Sequence, residues 1–378
     1  MKKAVSLTII ASIMCLTGMT GCSGTDVTEL DSNVKTGGPG TAIEVGAVYV
    51  GRRTDDEGYT FIHNRALTEA MESLEIPVDT NLITVDKVVD EEELLEAVDQ
   101  LAESGCDIIF GISEEYDFPL ATAADMYPDI MFCGCGGVLS NGINLINYSG
   151  RLYEAAYIAG ICAGYDSLDS GNNDIGYVHS WGDEDTQNYC NVNAFALGAR
   201  AANPDAVIHV DLVSEWEDTD EVNAATEYLM SSCECGQVVS SLQISTVINW
   251  EVFYEFALQT AMNEGSSLDF YSDIGGSYYG GTEDGFIDAG ILTQDASEQA
   301  IKASDIVTDL IASGQWTIFS GIVLEFTEAD GEVTVSQIPR DIEDNEGNVV
   351  VQSGDRGLND AVIRCYMNYF IDGVIDES

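Results

Sequence analysis

Hydrophobic residues occur in short runs along the chain, and polar loops rich in glycine separate the runs. The first run, Val45-Gly46-Ala47-Val48-Tyr49-Val50, predicts a strand buried on both faces. A polar loop follows Gly51, and apolar residues then recur every three or four positions from Phe61 to Met71, as on one face of a helix. The loop of such a β-loop-α unit lies at the carboxyl edge of a parallel sheet, where open α/β folds bind ligands.

The same alternation of strands and helices continues along the chain and restarts near Asp174. The predicted strands are Asn81–Val89, Cys106–Phe110, Ile130–Cys133, Ile143–Tyr148, Asp174–His179, Val207–Val213 and Gln237–Ser241. The predicted helices are Glu91–Ser104, Pro119–Met126, Arg151–Tyr165, Asn191–Ala202, Asp220–Met230, Trp250–Asn263 and Ser297–Ser313. Later segments are predicted as two strands, Leu268–Tyr271 and Gly290–Thr293, and as a β ribbon, Trp316–Phe326 with Glu332–Ile338. Repeated β-α units imply parallel sheets, so we expect an α/β fold of two doubly wound lobes with a cleft between them.

The N-terminus has the pattern of an export signal. Lys2 and Lys3 precede an apolar run that ends at Met19-Thr20-Gly21-Cys22. A cysteine after small residues resembles the lipobox of bacterial lipoproteins, so we expect residues 1–21 to be removed and Cys22 to carry lipid. A transmembrane anchor is the alternative, although the run is short and contains Ser, Thr and Gly. Residues 22–42 have the composition of a flexible tether. The expected location is therefore outside the cytoplasm, on the cell membrane.

The charge of the chain restricts its partners. Removal of Lys2 and Lys3 leaves 11 basic against 66 acidic residues, a net charge of about −55. Such a surface repels nucleic acid and anionic headgroups. Uptake of a cationic ligand or Ca²⁺ would explain it, but acidic charge also serves solubility without any ligand, and we favour that interpretation.

The sequence displays no common catalytic or metal-binding pattern. The chain has no G-x-S-x-G, H-E-x-x-H, phosphate-binding loop or dinucleotide fingerprint. Eight cysteines lie beyond Cys22, and two Cys-x-Cys pairs suggest a metal, but their spacing matches no common ligand pattern and the chain has only three histidines. We therefore expect a binding protein without enzymatic activity, cofactor or metal.

Several blocks of residues resemble one known family. The matching blocks are Val48–Gly51, Asp56-x-Gly58-Tyr59-Thr60-x-x-His63, Tyr148–Gly160, Ile175–Val178, Asn193–Pro204, Trp216 and Met367–Val374. They resemble the Bmp (basic membrane protein) family of substrate-binding lipoproteins of ABC transporters, whose members bind purine nucleosides or bases. The resemblance implies the type I periplasmic-binding fold, two lobes joined by a hinge. It also implies a permease partner, and we expect a monomer. The expected N-terminal lobe is 43–149 plus 291–318, and the expected C-terminal lobe is 150–290 plus 319–378.

The resemblance also implies the residues that contact ligand. They are Asp56, Tyr59, Ser113, Tyr116, Trp181, Asn193, Trp216 and Asp273. Aromatic faces stack on a base, and carboxylates accept hydrogen bonds from hydroxyl or amino groups. An aromatic residue taken singly is also an ordinary core residue.

The chain departs from the family pattern at four places. Phe118 precedes Pro119 where relatives have Asp, Gln294 stands near a position that is Lys or Trp, and 241–245 lacks an acidic residue. The loop at 52–55 is one residue longer and contains the pair Arg52-Arg53. Two other functions remain open at this point. A ligand-sensing lipoprotein could partner a membrane receptor rather than a transporter, and a surface hydrolase would require a nucleophile-base pair that the sequence does not display.

Overall fold

The first sheet contains six parallel strands, and β1 lies between β2 and β3. The computed structural model describes residues 43–180, 186–213 and 219–378. The spatial order of the first sheet is β2-β1-β3-β4-β5-β9. Its strands are β1 Val45–Tyr49, β2 Leu82–Asp86, β3 Ile108–Ile112, β4 Met131–Cys135, β5 Leu145–Gly150 and β9 Ser277–Gly280. Since the pairs are all parallel, the loops that follow these strands lie at one edge.

Helices cover both faces of this sheet. They are α1 Tyr59–Ser73, α2 Val78–Asn81, α3 Glu91–Glu103, α4 Asp117–Met126, α9 Trp250–Glu264 and α10 Ser267–Ile274. Within β1, Val45, Ala47 and Tyr49 pack into the core with α1 and α9, whereas Val48 packs with α3 and α4. This two-sided burial explains why the strands are continuous apolar runs.

The second sheet is parallel too, with the order β14-β7-β6-β8. Its strands are β6 Asp174–Ser180, β7 Val207–Val213, β8 Gln237–Ser240 and β14 Val374–Asp376. The remaining helices are α5 Leu152–Ser170, α6 Thr186–Ala202, α7 Thr219–Ser231, α8 Ser241–Ser245, α11 Glu298–Ala312 and α12 Asp360–Tyr366. Two antiparallel ribbons complete the fold, β10 Ile322–Ala329 with β11 Glu332–Pro339 and β12 Ile342–Glu343 with β13 Val349–Val351. The expectation of two doubly wound parallel sheets is confirmed.

The chain passes between the sheets more than once. After β8 it returns to the first sheet through α9, α10 and β9, and then leaves again for α11 and β14. The expected lobe boundaries assign β9 to the C-terminal lobe, whereas β9 pairs with β5 of the first sheet. One core cluster contains residues from both sheets, such as Phe110 and Ile208. The boundaries of the two lobes stay a prediction.

Two of the predicted strands are wrong. Leu268–Tyr271 lies inside α10, because Ser266 caps the helix by accepting a hydrogen bond from the Asp269 N–H at 3.2 Å. Gly290–Thr293 lies in a 3₁₀ turn, Ala289–Thr293, which the Asp288 side chain caps in the same way. In both cases a capping side chain just before the segment favours a helical turn. None of the described helices combines the length and apolar character that a membrane crossing requires.

Helices α5 and α6 pack with their backbones in contact. A Cβ atom added at Gly160 would lie 2.1 Å from the Phe195 carbonyl oxygen, and one at Gly198 would lie 2.0 Å from that of Tyr157. Both glycines belong to the blocks that carry the family resemblance. Their role is therefore to permit close helix packing.

We expect Gly160→Ala to lower the free energy of unfolding by about 1–3 kcal/mol, because the helices must separate to admit the methyl group. In an ordinary helix interior the same change is favourable by about 1 kcal/mol. Urea unfolding measures the difference. Gly134→Ala is the control, since its methyl would meet the movable Leu120 side chain at 3.3 Å, and its loss should be smaller. A Gly160→Ala protein as stable as the parent would contradict close backbone packing here.

Candidate functional site

The carboxyl edge of the first sheet carries the loops after β1, β3, β4 and β5. Residues 52–58 form an exposed loop that contains Asp56. The base of this loop is fixed, because the Gly51 N–H donates to Thr60 Oγ1 at 3.1 Å. Ser113 follows β3 and is buried, and its hydroxyl accepts a hydrogen bond from the Glu115 N–H at 3.2 Å. Asp56, Tyr59 and Ser113 thus lie at the expected edge.

Tyr59 belongs to an aromatic cluster formed by Tyr59, His63, Tyr148, Trp250 and Tyr254. The His63 ring centroid lies 4.3 Å from that of Tyr59 and 4.2 Å from that of Trp250. Its Nδ1 is 2.7 Å from the Tyr254 hydroxyl, which is 3.0 Å from the Tyr148 hydroxyl. Tyr59 and Trp250 are only partly buried, whereas the other three are fully buried. The cluster therefore joins two partly buried aromatic residues, Tyr59 and Trp250, to three fully buried ones.

Polar groups within the aromatic cluster are neutral. Burial lowers the pKa of His63 to about 3, so its imidazole carries no charge at neutral pH. Burial also raises the pKa of Tyr59, Tyr148 and Tyr254 well above its usual value. The Tyr59 hydroxyl donates to the thiol sulfur of Cys135 at 3.3 Å. Such a surface suits an uncharged, flat ligand better than an ionic one.

Tyr116 is placed elsewhere than the resemblance implies. It is 2% exposed and packs between α3 and α4, with Leu94, Val98 and Leu120. Its hydroxyl donates to the Val88 carbonyl at 2.5 Å. The turn after β3 directs this ring into the core beneath the edge, so Tyr116 does not line the site.

Asn193 supports the fold rather than the edge. Its buried carboxamide donates to the Tyr369 carbonyl at 2.8 Å and accepts from the Ile371 N–H at 3.0 Å. Both partners belong to the C-terminal segment that leads to β14. The hydrogen-bonding groups of Asn193 are thus used in fixing this segment to α6.

Asp273 lies at the wrong edge of the first sheet. It is exposed, near the end of α10, four residues before β9 begins at Ser277. Because β9 is parallel to β5, its first residue lies at the amino edge. Asp273 is therefore not brought together with Asp56 and Tyr59.

The remaining two expected contacts, Trp181 and Trp216, lie outside the described residues. Trp181 directly follows the last residue of β6, and Trp216 comes three positions after the last residue of β7. Their role in ligand binding stays a prediction.

Arg364 is a residue at this edge that the sequence did not single out. It is 5% exposed, and its Nη2 donates to the Gly136 carbonyl, directly after β4, at 3.1 Å. Its guanidinium lies 4.7 Å from the centre of the Tyr279 ring. Because α12 packs on α6, Arg364 connects the second-sheet helices to the first-sheet edge. No motif surrounds Arg364, so only the fold reveals it.

Arg151 joins three chain segments beside the edge. Its Nη2 is 3.0 Å from Asp360 Oδ2, and its Nη1 is 2.8 Å from Glu283 Oε1. The Tyr153 hydroxyl also donates to Asp360, at 2.8 Å. Burial opposes the charge of Arg151, but hydrogen bonds to Asp360 and Glu283 raise the pKa of the guanidinium. Within the block Tyr148–Gly160, the identities of Arg151 and Tyr153 are thus explained by their contacts with Asp360 and Glu283.

With this geometry in place, comparison with known proteins identifies the family. A family model described as ABC transporter substrate-binding protein, PnrA-like, matches residues 43–264, which is more than half of the chain. The chain belongs to the Bmp family. This confirms the resemblance and places the chain among substrate-binding proteins of ABC transporters.

Two relatives of this Bmp protein have names that mention different ligands. A putative ABC transporter glucose-binding protein of Haloferax volcanii is 31% identical over 216 residues, which cover 56% of this chain and 52% of the relative. A purine-binding protein of Brucella abortus is 28% identical over 188 residues, which cover 50% of this chain and 51% of the relative. The chain therefore spans about half the length of each.

Solved structures agree on the fold. A solute-binding protein of an ABC transporter from Aeropyrum pernix has a TM-score of 0.52 at 13% identity, covering 76% of this chain and 94% of the other. A transcriptional activator of the comK gene from Bacillus halodurans has a TM-score of 0.55 at 17% identity, covering 72% and 99%. These likenesses confirm the type I periplasmic-binding fold.

Proposed function

We propose that this Bmp protein is a lipid-anchored substrate-binding protein outside the cytoplasm, which captures a purine nucleoside or base and delivers it to an ABC permease. The observation that carries the proposal is the pair of partly buried aromatic residues, Tyr59 and Trp250, whose rings both pack against buried His63 at the carboxyl edge. The loop of Asp56 begins the same edge and supplies a carboxylate. Family membership supports the transport role.

The chemistry of these groups favours a purine. Stacking of a base on an aromatic side chain contributes on the order of 1–3 kcal/mol. The Asp56 carboxylate accepts hydrogen bonds from ribose hydroxyl or exocyclic amino groups. A buried arginine at the opposite side of the edge, Arg364, donates to ring nitrogen or carbonyl acceptors. One relative is named for glucose, so a hexose is the alternative ligand that the test must separate.

Delivery requires a signal that the permease recognises. In hinged binding proteins, closure of two lobes around the ligand provides it. Arg364, on α12, donates to the Gly136 carbonyl in the loop after β4. We expect lobe closure to change this contact. Ligand binding would then change the surface presented to the permease.

We expect Asp56→Asn to weaken binding of a purine nucleoside by about tenfold or more, because a hydrogen bond to a charged acceptor contributes about 1.5–3 kcal/mol. Asp273→Asn is the matched control, since Asp273 is also an exposed aspartate but lies at the amino edge, and the variant should bind as the parent does. Isothermal titration calorimetry with adenosine, guanosine, hypoxanthine and glucose measures the affinity of the full chain and of each variant.

Two results would contradict this account. Binding of glucose without binding of any purine would show that the ligand class is wrong. Equal losses in Asp56→Asn and Asp273→Asn would show that the carboxyl edge of the first sheet is not the site.

The lipid anchor is proposed at Cys22. In a bacterial host, we expect Cys22→Ala to move the protein from the membrane fraction to the soluble exported fraction. Cys15→Ala changes a cysteine inside the apolar run and should leave the protein on the membrane. Immunoblotting of the fractions distinguishes them, and a Cys22→Ala protein that stays membrane-bound would exclude lipidation as the anchor.

A further inference from the structure

Three metal-ligating side chains meet on the second sheet, away from the carboxyl-edge loops. His209 belongs to β7, Cys233 follows α7, and Glu377 follows β14. One donor atom from each lies within 4.8 Å of the other two. His209 Nδ1 is 2.8 Å from Glu377 Oε1. These residues are 24 or more positions apart in sequence, so only the fold brings them together.

A second carboxylate holds the other nitrogen of His209. Nε2 lies 3.1 Å from Asp174 Oδ1, at the start of β6. A neutral imidazole has one N–H, so it donates to one of its two carboxylate neighbours only. If Nε2–H donates to Asp174, the lone pair of Nδ1 faces the Glu377 carboxylate. A positive charge at Nδ1, either a proton or a metal cation, satisfies both carboxylates. Metal-binding histidines commonly donate their second N–H to a carboxylate in this way.

The charges around the cluster attract a cation. Two carboxylates, those of Glu377 and Asp174, lie within 3.1 Å of the His209 ring nitrogens. The Tyr228 hydroxyl lies 3.5 Å from Glu377 Oε2 and adds a further oxygen. Acidic groups therefore surround the donors on several sides.

We propose that His209, Cys233 and Glu377 form a Zn²⁺ site, with Asp174 orienting the imidazole. Nitrogen, sulfur and oxygen donors in one cluster are typical zinc ligands, at distances of about 2.0–2.3 Å. The Cys233 thiol releases its proton to solvent as the sulfur-metal bond forms, and His209 binds as the neutral imidazole. Water completes the tetrahedron.

The position of this site indicates a structural role. The ion would join the inner strand β7 to the α7–β8 connection and to the residue that follows β14. The C-terminal strand β14 has only three residues, so a bond at Glu377 would fix a short edge strand. The inference does not depend on which solute the protein carries.

Cobalt(II) is the probe, because a thiolate ligand gives a charge-transfer band in the near ultraviolet and a tetrahedral site gives strong visible bands. The full chain, stripped with chelator, should show both on addition of one equivalent, and Zn²⁺ should remove them. Cys233→Ser should abolish the charge-transfer band. Cys365→Ser, at an exposed cysteine on α12, should keep it.

Glu377→Gln provides a second variant that leaves the thiol in place, and should weaken Zn²⁺ binding at least tenfold in calorimetry. Circular dichroism confirms that each variant is folded. The proposal is overturned if the band persists in Cys233→Ser, if Co²⁺ binds the parent without a thiolate band, or if millimolar Mg²⁺ displaces it. The last two outcomes would assign the binding to surface carboxylates.

Discussion

The ion-pair cluster of Arg151, Asp360 and Glu283 is a constraint that joins three distant segments of the chain beside the carboxyl edge. Arg151 stands where the chain leaves the first sheet for α5, Glu283 where it leaves β9, and Asp360 at the start of α12. The Arg151 guanidinium thus connects the segment after β5, the segment after β9 and the helix α12, which carries Arg364. Its side chain is 22% exposed, so the pairs are partly shielded from water and salt. Arg364 can reach the loop after β4 because α12 is held there.

The chemistry of the candidate site contrasts with that of the surface. The full chain has a net charge of −53, yet the base of the site is a network of neutral hydroxyl, imidazole and thiol groups. Charged groups of the carboxyl edge, among them Asp56, Glu114 and Arg364, lie around this neutral network. A neutral aromatic base with charged groups at its rim is suited to a flat, polar ligand, as the proposed purine is. Acidic surface charge aids solubility whether or not it contributes to ligand binding.

The sequence predicted the fold well, and the site only in part. Parallel strands buried on both faces are continuous apolar runs, so β1 and β3 were found within a few residues. The strand β9 was missed because Ser277-Tyr278-Tyr279-Gly280 is neither apolar throughout nor alternating. The positions of Asp56 and Ser113 at the carboxyl edge could be predicted, because each lies in the loop after a strand and the end of a strand is a local property of the sequence. Tyr116 and Asp273 were misplaced because a residue match does not tell which face or edge of a sheet a side chain occupies. His209, Cys233 and Glu377 have no common spacing, so no motif could have found them.

Native mass spectrometry of the full chain, after incubation with a whole-cell metabolite extract, tests the central claim most directly. The account predicts one small molecule per chain, with the mass of a purine nucleoside or base, that is released when the protein unfolds. A chain that emerges from the extract at its bare mass, or with an ion or peptide in place of a flat neutral solute, would contradict it.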